Sequence, residues 1–125
     1  MILKNDFYNI LEKQNTDSGI NFTVNFNVEH FIYKSHFPGN PITPGVCIAQ
    51  IVKELTEELT RVDLFLKIAK NIKFTQIINP LQHPKVTFAL NNPQKFDNGF
   101  KVNAIVKNEN ETFAKLILQF TKKRA

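Results

Sequence analysis

Residues 36–46 read His36-Phe37-Pro38-Gly39-Asn40-Pro41-Ile42-Thr43-Pro44-Gly45-Val46, a stretch that gathers three prolines and two glycines around one histidine. Imidazole is the side chain best suited to exchanging protons near neutral pH, so His36 is a candidate proton shuttle. Taken by itself, a histidine beside aromatic residues is more often a packed, hydrogen-bonded one than a catalyst. Pro44 pre-sets the backbone for a helix, and a helix beginning at Gly45 would present unpaired N–H groups and the positive end of its dipole to a developing oxyanion. Gly45 would let a substrate approach that end closely. Cys47 falls in the first turn, where the dipole would lower a thiol pKa, but no histidine is spaced to pair with it, and a packed small residue is the simpler reading. His30 and His83 lack such context and read as surface or structural residues. With no histidine at i,i+4 from another and a single cysteine, no metal site is expected.

The elements that must carry these residues follow from periodicity. Ile48, Ile51, Val52, Leu55, Leu59 and Val62 recur in steps of three and four, which predicts one long helix over about 45–61, with Glu57 and Arg61 a compatible charge pair. Its other face carries Cys47, Gln50, Glu54 and Glu57, a more polar stripe that must meet something other than the core, a partner subunit being the natural candidate. Ile20, Phe22, Val24, Phe26 and Val28 alternate with polar residues as a half-buried strand. Further strands are expected at 70–78, 85–90, 100–106 and 112–121, separated by turn residues such as Asn79-Pro80, Asn92-Pro93 and Asn98-Gly99, which implies an antiparallel meander. Leu3, Phe7, Ile10 and Leu11 sit at helical spacing and predict a short helix or helical turn within residues 3–13. One helix facing an antiparallel sheet is an α+β arrangement.

A chain of 125 residues is long enough to bury one real core. Twelve phenylalanines without a tryptophan suit either a thick apolar layer or the lining of an apolar channel. The formal charge of +5 favours an acidic partner, and the run Lys122-Lys123-Arg124 is either part of that or a solubilising tail. No basic-aromatic motif supports nucleic-acid binding. One cysteine suits a reducing compartment, and with neither a secretory signal nor eighteen consecutive apolar residues, a cytoplasmic protein without a membrane span is expected.

From about residue 25 to residue 60 the chain resembles the bacterial β-hydroxyacyl-acyl-carrier-protein dehydratases, whose loop reads His-Phe-Pro-Gly-x-Pro-x-x-Pro-Gly-Val before a long helix. Every fixed position of that string is present here. Asn71-Ile72-Lys73-Phe74 and Asn79-Pro80 are similar to the strand and turn that follow the family's helix. The resemblance implies a single hotdog domain over residues 1–125, with five or six antiparallel strands wrapped around the helix. It also implies a homodimer or a higher oligomer of dimers, and no cofactor. The partner would be an acyl carrier protein bearing a 3-hydroxyacyl or trans-2-enoyl chain, in fatty-acid or related lipid synthesis.

Syn removal of water from such a thioester needs a base near the carbon next to the carbonyl, an acid near the departing hydroxyl, and donors to the carbonyl oxygen. The resemblance gives His36 the role of base and the amides of Gly45 and Val46 the role of donors, with Phe37 at the substrate. In the family the histidine of one subunit works with a helix acid of the other, so His36 would face Gln50 and Glu54 across an interface. The family has Glu or Asp fourteen positions after the histidine, where this chain has Gln50. Gln binds a hydroxyl but cannot exchange a proton. Glu54, one turn on, is the candidate substitute acid, unless Glu54, Glu57 and Glu58 form a solvated or dimer-facing charge row. The rival readings are a hotdog acyl thioesterase and a non-catalytic acyl-carrier-binding subunit whose partner supplies the acid.

Overall fold

The computed structural model describes residues 1–123. Its elements in order are β1 (Tyr8–Asn15), β2 (Gly19–Phe26), α1 (Phe31–Ser35), α2 (Gly45–Thr60), β3 (Leu64–Phe74), β4 (Lys85–Asn91), β5 (Gln94–Phe96), β6 (Gly99–Lys107) and β7 (Thr112–Lys122). The strands form one antiparallel sheet in the order β1-β2-β4-β6-β7-β3, with β5 added against β6. A seven-stranded antiparallel sheet against one long helix is the hotdog architecture, with more strands than the five or six the sequence suggested.

Helix α2 keeps the apolar stripe read from its spacing: Ile48, Ile51, Val52 and Leu55 are all buried. They join the inward positions of the strands, Phe22 and Val24 of β2, Phe88 of β4, Val102 of β6 and Leu116 and Leu118 of β7, in one core. Seven of the twelve phenylalanines are buried there, which accounts for most of the unusual composition as ordinary core. The helix ends at Arg61, whose left-handed backbone (φ 57°) lets its N–H reach the Glu57 carbonyl. Glu57 pairs with Lys53 at 3.5 Å instead of with Arg61, and its carboxylate accepts the Leu64 N–H at 2.8 Å, fixing the turn into β3.

Two expectations hold only in part, for separate reasons. Of the short helix or helical turn expected within residues 3–13, only the turn forms. The Leu3–Phe7 spacing does make one turn, with the Phe7 N–H donating to the Leu3 carbonyl at 2.7 Å, and both side chains enter the core. From Tyr8 the backbone pairs with β2 instead, so sheet hydrogen bonds replace any further turn, and the exposed Leu11 falls at a bulge between Ile10 and Glu12. The strand expected at 70–78 starts six residues earlier, at Leu64, and stops at Phe74. Register shifts on either side of Lys67 and Lys70 break its alternation twice, which erases the period-two signal. β3 also crosses to the far edge of the sheet, so only β4, β6 and β7 follow as a meander. At the C-terminus Lys122 closes β7 and the Lys123 ammonium lies 4.9 Å from the Phe65 ring, while Arg124 of the basic run lies outside the described residues.

Ile51 sits fully buried at the middle of the helix stripe. Its truncation to Ala is expected to cost about 2–5 kcal/mol, read as a lower urea midpoint with an unchanged denaturant slope.

Candidate active site

The loop between α1 and α2 is held at several points. His30 caps α1: its Nδ1 accepts the Ile32 N–H at 3.1 Å, which puts the ring proton on Nε2, 3.2 Å from Asp6 Oδ2. The Tyr33 hydroxyl meets Thr43 Oγ1 at 2.8 Å, both groups buried, and the Thr43 N–H donates to Ile78 at 2.9 Å. Burial pushes the Tyr33 hydroxyl pKa well above its ordinary value. Phe37 and Asn40 exchange backbone hydrogen bonds across a tight turn in which Gly39 takes φ +74°, a conformation that favours glycine. The Ile42 N–H donates to the His36 carbonyl at 2.7 Å, so the turn is closed directly behind the histidine.

His36 is exposed, at the C-cap of α1. Its Nδ1 lies 3.2 Å from the Ile32 carbonyl, and a carbonyl only accepts, so Nδ1 carries the proton in this contact and Nε2 is left as the free basic nitrogen. At the start of α2, Pro44 offers no side-chain cap, and the first helical bonds are those of the Cys47 and Ile48 N–H groups to its carbonyl. Among the described residues the N–H groups of Gly45 and Val46 have no acceptor. A cavity of about 310 Å³ opens beside Gly45, lined by Ile42, Thr43, Ile48 and the segment Phe74–Ile78. The Phe74 ring covers Gly45 so closely that a Cβ there would lie 2.7 Å from it. A side chain at position 45 would have to displace the half-exposed Phe74 ring. Val46 is exposed, and Phe37 lies in a separate shallow hollow with Tyr33, Gly39 and Leu81.

Gln50 and Glu54 sit elsewhere, in a cleft of about 530 Å³ beneath the N-terminal residues. Glu54, expected as a substitute acid or as one of a solvated row, is buried. Its Oε1 accepts the Lys4 N–H at 2.8 Å and the Tyr8 hydroxyl at 3.0 Å, and its Oε2 accepts the Leu3 N–H at 2.7 Å and Gln50 Nε2 at 2.8 Å. Those donors use all the lone-pair positions a carboxylate offers, so Glu54 is a structural acceptor with none to spare. The N-terminal turn of this chain thus covers Glu54, while Gln50 and Glu57 stay half-buried at the cleft. Burial, followed by the facing Glu54 charge, drives the Tyr8 hydroxyl pKa far up. Lys4 also pairs with Glu58 at 2.6 Å, and that hydrogen bond holds the Glu58 carboxyl below its ordinary range. The pair's small contribution is therefore present at neutral pH and lost as pH falls through the depressed value.

Cys47 is buried, and burial raises its thiol pKa where the helix dipole alone suggested a lowering. This removes the basis of a thiolate nucleophile. Among the described residues no three His, Cys, Asp or Glu side chains gather as a metal-binding group, and no helix is long and apolar enough to cross a membrane. Within one chain, then, the loop and helix start form one neighbourhood and Gln50 with Glu54 another. The residues that sequence reasoning missed are Leu3, Lys4 and Tyr8, which hold Glu54, and Phe74. The only advance signal was that the chain has just two tyrosines, and each proves buried with its hydroxyl bonded.

A family model described as ApeI-like, ApeI dehydratase, matches residues 12–116. The chain is 27% identical over 81 residues to the 3-hydroxyacyl-acyl-carrier-protein dehydratase FabZ of Lactiplantibacillus plantarum, covering 59% of this chain and 55% of that one. It is 30% identical over 81 residues to the FabZ of Pediococcus pentosaceus, covering 59% and 54%. The match thus spans about half the length of these curated relatives. Among solved structures, a chain of the dehydratase heterocomplex ApeI:P from Xenorhabdus doucetiae superposes with a TM-score of 0.67 at 14% identity, covering 90% of this chain and 96% of that one. An uncharacterized protein from Erwinia carotovora subsp. atroseptica gives 0.61 at 19% identity, covering 89% and 90%. At such identities the structural likeness establishes the hotdog fold alone.

Removing the Glu54 carboxylate strands buried donors, so Glu54→Ala is expected to cost about 3 kcal/mol or more, against about 1 kcal/mol for Tyr8→Phe, which removes a single bond. Urea unfolding of the two variants checks the ranking. Cys47 should react with a disulfide reagent at pH 7 far more slowly in the native protein than in urea.

Proposed function

Because the chain belongs to the ApeI-like dehydratase family, we propose that residues 1–125 act as one hotdog domain on 3-hydroxyacyl thioesters of an acyl carrier protein, in fatty-acid or related lipid synthesis. In this reading His36 Nε2 takes the proton from the carbon between the carbonyl and the hydroxyl-bearing carbon. The released electron pair forms the carbon–carbon double bond as the carbon–oxygen bond breaks, and the departing hydroxide takes a proton to leave as water. The amides of Gly45 and Val46 hold the thioester oxygen as negative charge builds on it. The observation that carries the reading is the pinned imidazole: the Ile32 carbonyl holds Nδ1, so the basic Nε2 faces outward on the loop that leads into the uncapped helix start.

We place the working site across a homodimer. β3 is a sheet edge with Phe65, Leu66, Ile68 and Phe74 all substantially exposed, and exposed apolar edges of this kind invite pairing. A second copy laid along β3 would cover them. In this reading His36 of one chain works with Gln50 of the other, two residues that a single chain holds in separate places. The cytoplasm, where a lone thiol stays reduced, fits this reading.

The chain's own proton donor is the imidazolium formed in the first step. Syn geometry puts the hydroxyl on the same face, so His36 returns there the proton it removed. A second reading rests on a different observation: Gln50 cannot give up a proton and Glu54 is fully engaged, so a partner subunit supplies the acid and this chain supplies binding. Loss of general acid help is worth about 10²- to 10⁴-fold in rate, which is the interval that separates the two readings.

Incubation with 3-hydroxybutyryl and crotonyl acyl-carrier-protein thioesters should show slow interconversion, abolished by His36→Ala. An inert protein that still binds both thioesters selects the partner-dependent reading. Activity that survives His36→Ala rules out the proposed base.

A further inference from the structure

We propose that Glu54 is a positioning residue that, together with the Met1 carbonyl, fixes the Gln50 carboxamide with its oxygen towards the substrate, making the site selective for an acyl chain that bears a hydroxyl. The proposal rests on the site reading above and adds to it which atom of Gln50 the substrate meets.

The orientation of a glutamine amide is decided by its neighbours. Here Gln50 Nε2 lies 2.8 Å from the Met1 carbonyl oxygen and 2.8 Å from Glu54 Oε2. A main-chain carbonyl only accepts, and Glu54 Oε2 already takes the Leu3 N–H, so both neighbours demand a donor and the amino group must face them. Both amide hydrogens are thereby used inside the chain. Among the described residues Gln50 Oε1 makes no hydrogen bond, and the half-buried side chain borders an open cleft. What Gln50 presents to a ligand is therefore an acceptor alone.

An acceptor welcomes the O–H of a 3-hydroxyacyl chain and offers nothing to a chain without one. It also gives no hydrogen bond to a departing hydroxide, so Gln50 holds the hydroxyl in place and does not help it leave. Glu54 never touches the substrate. It acts by denying the amide its other rotamer, and it does so because Leu3, Lys4 and Tyr8 lock its own carboxylate.

The test compares two analogues that cannot eliminate, 3-hydroxybutyryl- and butyryl-pantetheine in which nitrogen replaces the thioester sulfur, titrated into the full chain by calorimetry. The wild type is expected to bind the hydroxyl-bearing analogue about five- to tenfold more tightly, the range of one net hydrogen bond. Gln50→Leu should bring the ratio to about one, and Glu54→Ala should do the same while the butyryl affinity stays within about twofold, a change in ratio that general loosening of the fold does not produce. Should Glu54→Ala fail to fold, the wild type still decides: the Gln50 side-chain amide protons must be protected from exchange in the NMR spectrum. Equal affinities, or a freely exchanging Gln50 amide, overturn the proposal and leave the site reading intact provided both analogues bind and His36→Ala weakens them. If neither analogue binds, the site reading falls and the proposal with it.

Discussion

A carboxylate buried at the middle of a helix must be surrounded by donors or it destabilises everything near it. Glu54 meets that demand with two main-chain N–H groups, a phenol and an amide, drawn from positions up to 51 residues away in sequence. The rest of the arrangement follows from it. The N-terminal turn is pulled down onto α2, which seats Leu3 and Phe7 in the core and starts β1 at Tyr8 in register with β2. The polar stripe of the helix is closed around Glu54 by that turn, and the amide of Gln50 is turned one way. One side of α2 is thus satisfied by apolar packing on the sheet and the other by a single charged group.

What the sequence disclosed divides along the same line. β2, β4, β6 and β7 each bury one face more deeply than the other, and α2 carries a clean apolar stripe, so periodicity alone located them to within a residue or two. The loop from His36 to Val46 was legible because prolines and glycines constrain the backbone wherever they stand. β1 was misread because Leu3 and Phe7 do form a turn, and only pairing with a strand elsewhere in the chain forbids its extension. β3 was misplaced because an edge strand carries no burial contrast and its two irregularities shift the phase. Glu54 was read as an acid for solvent or substrate because the groups that claim it are distant in sequence. Helical spacing says which face a residue occupies, not what covers that face.

The chemistry shows a matching split between local and long-range causes. His36 owes its orientation to a carbonyl four residues before it, within the same short helix. Gln50 owes its orientation to the far end of the chain. A site assembled from both depends on parts that sequence reading detects unequally, which is why its base was easier to find than its hydroxyl-binding group.

The contact of Gln50 with Glu54 also bears on how such a sequence can change. A carboxylate at position 50 would bring one acceptor against two others, the Met1 carbonyl and Glu54 Oε2, each 2.8 Å from the atom it replaced. The new side chain would have to keep its proton and share it with the Met1 carbonyl or Glu54, or push the N-terminal turn away. Positions 50 and 54 are thus coupled: recovering an acid at one demands a compensating change at the other. The identity of one side chain sets which side chain the other position can hold without breaking the N-terminal turn.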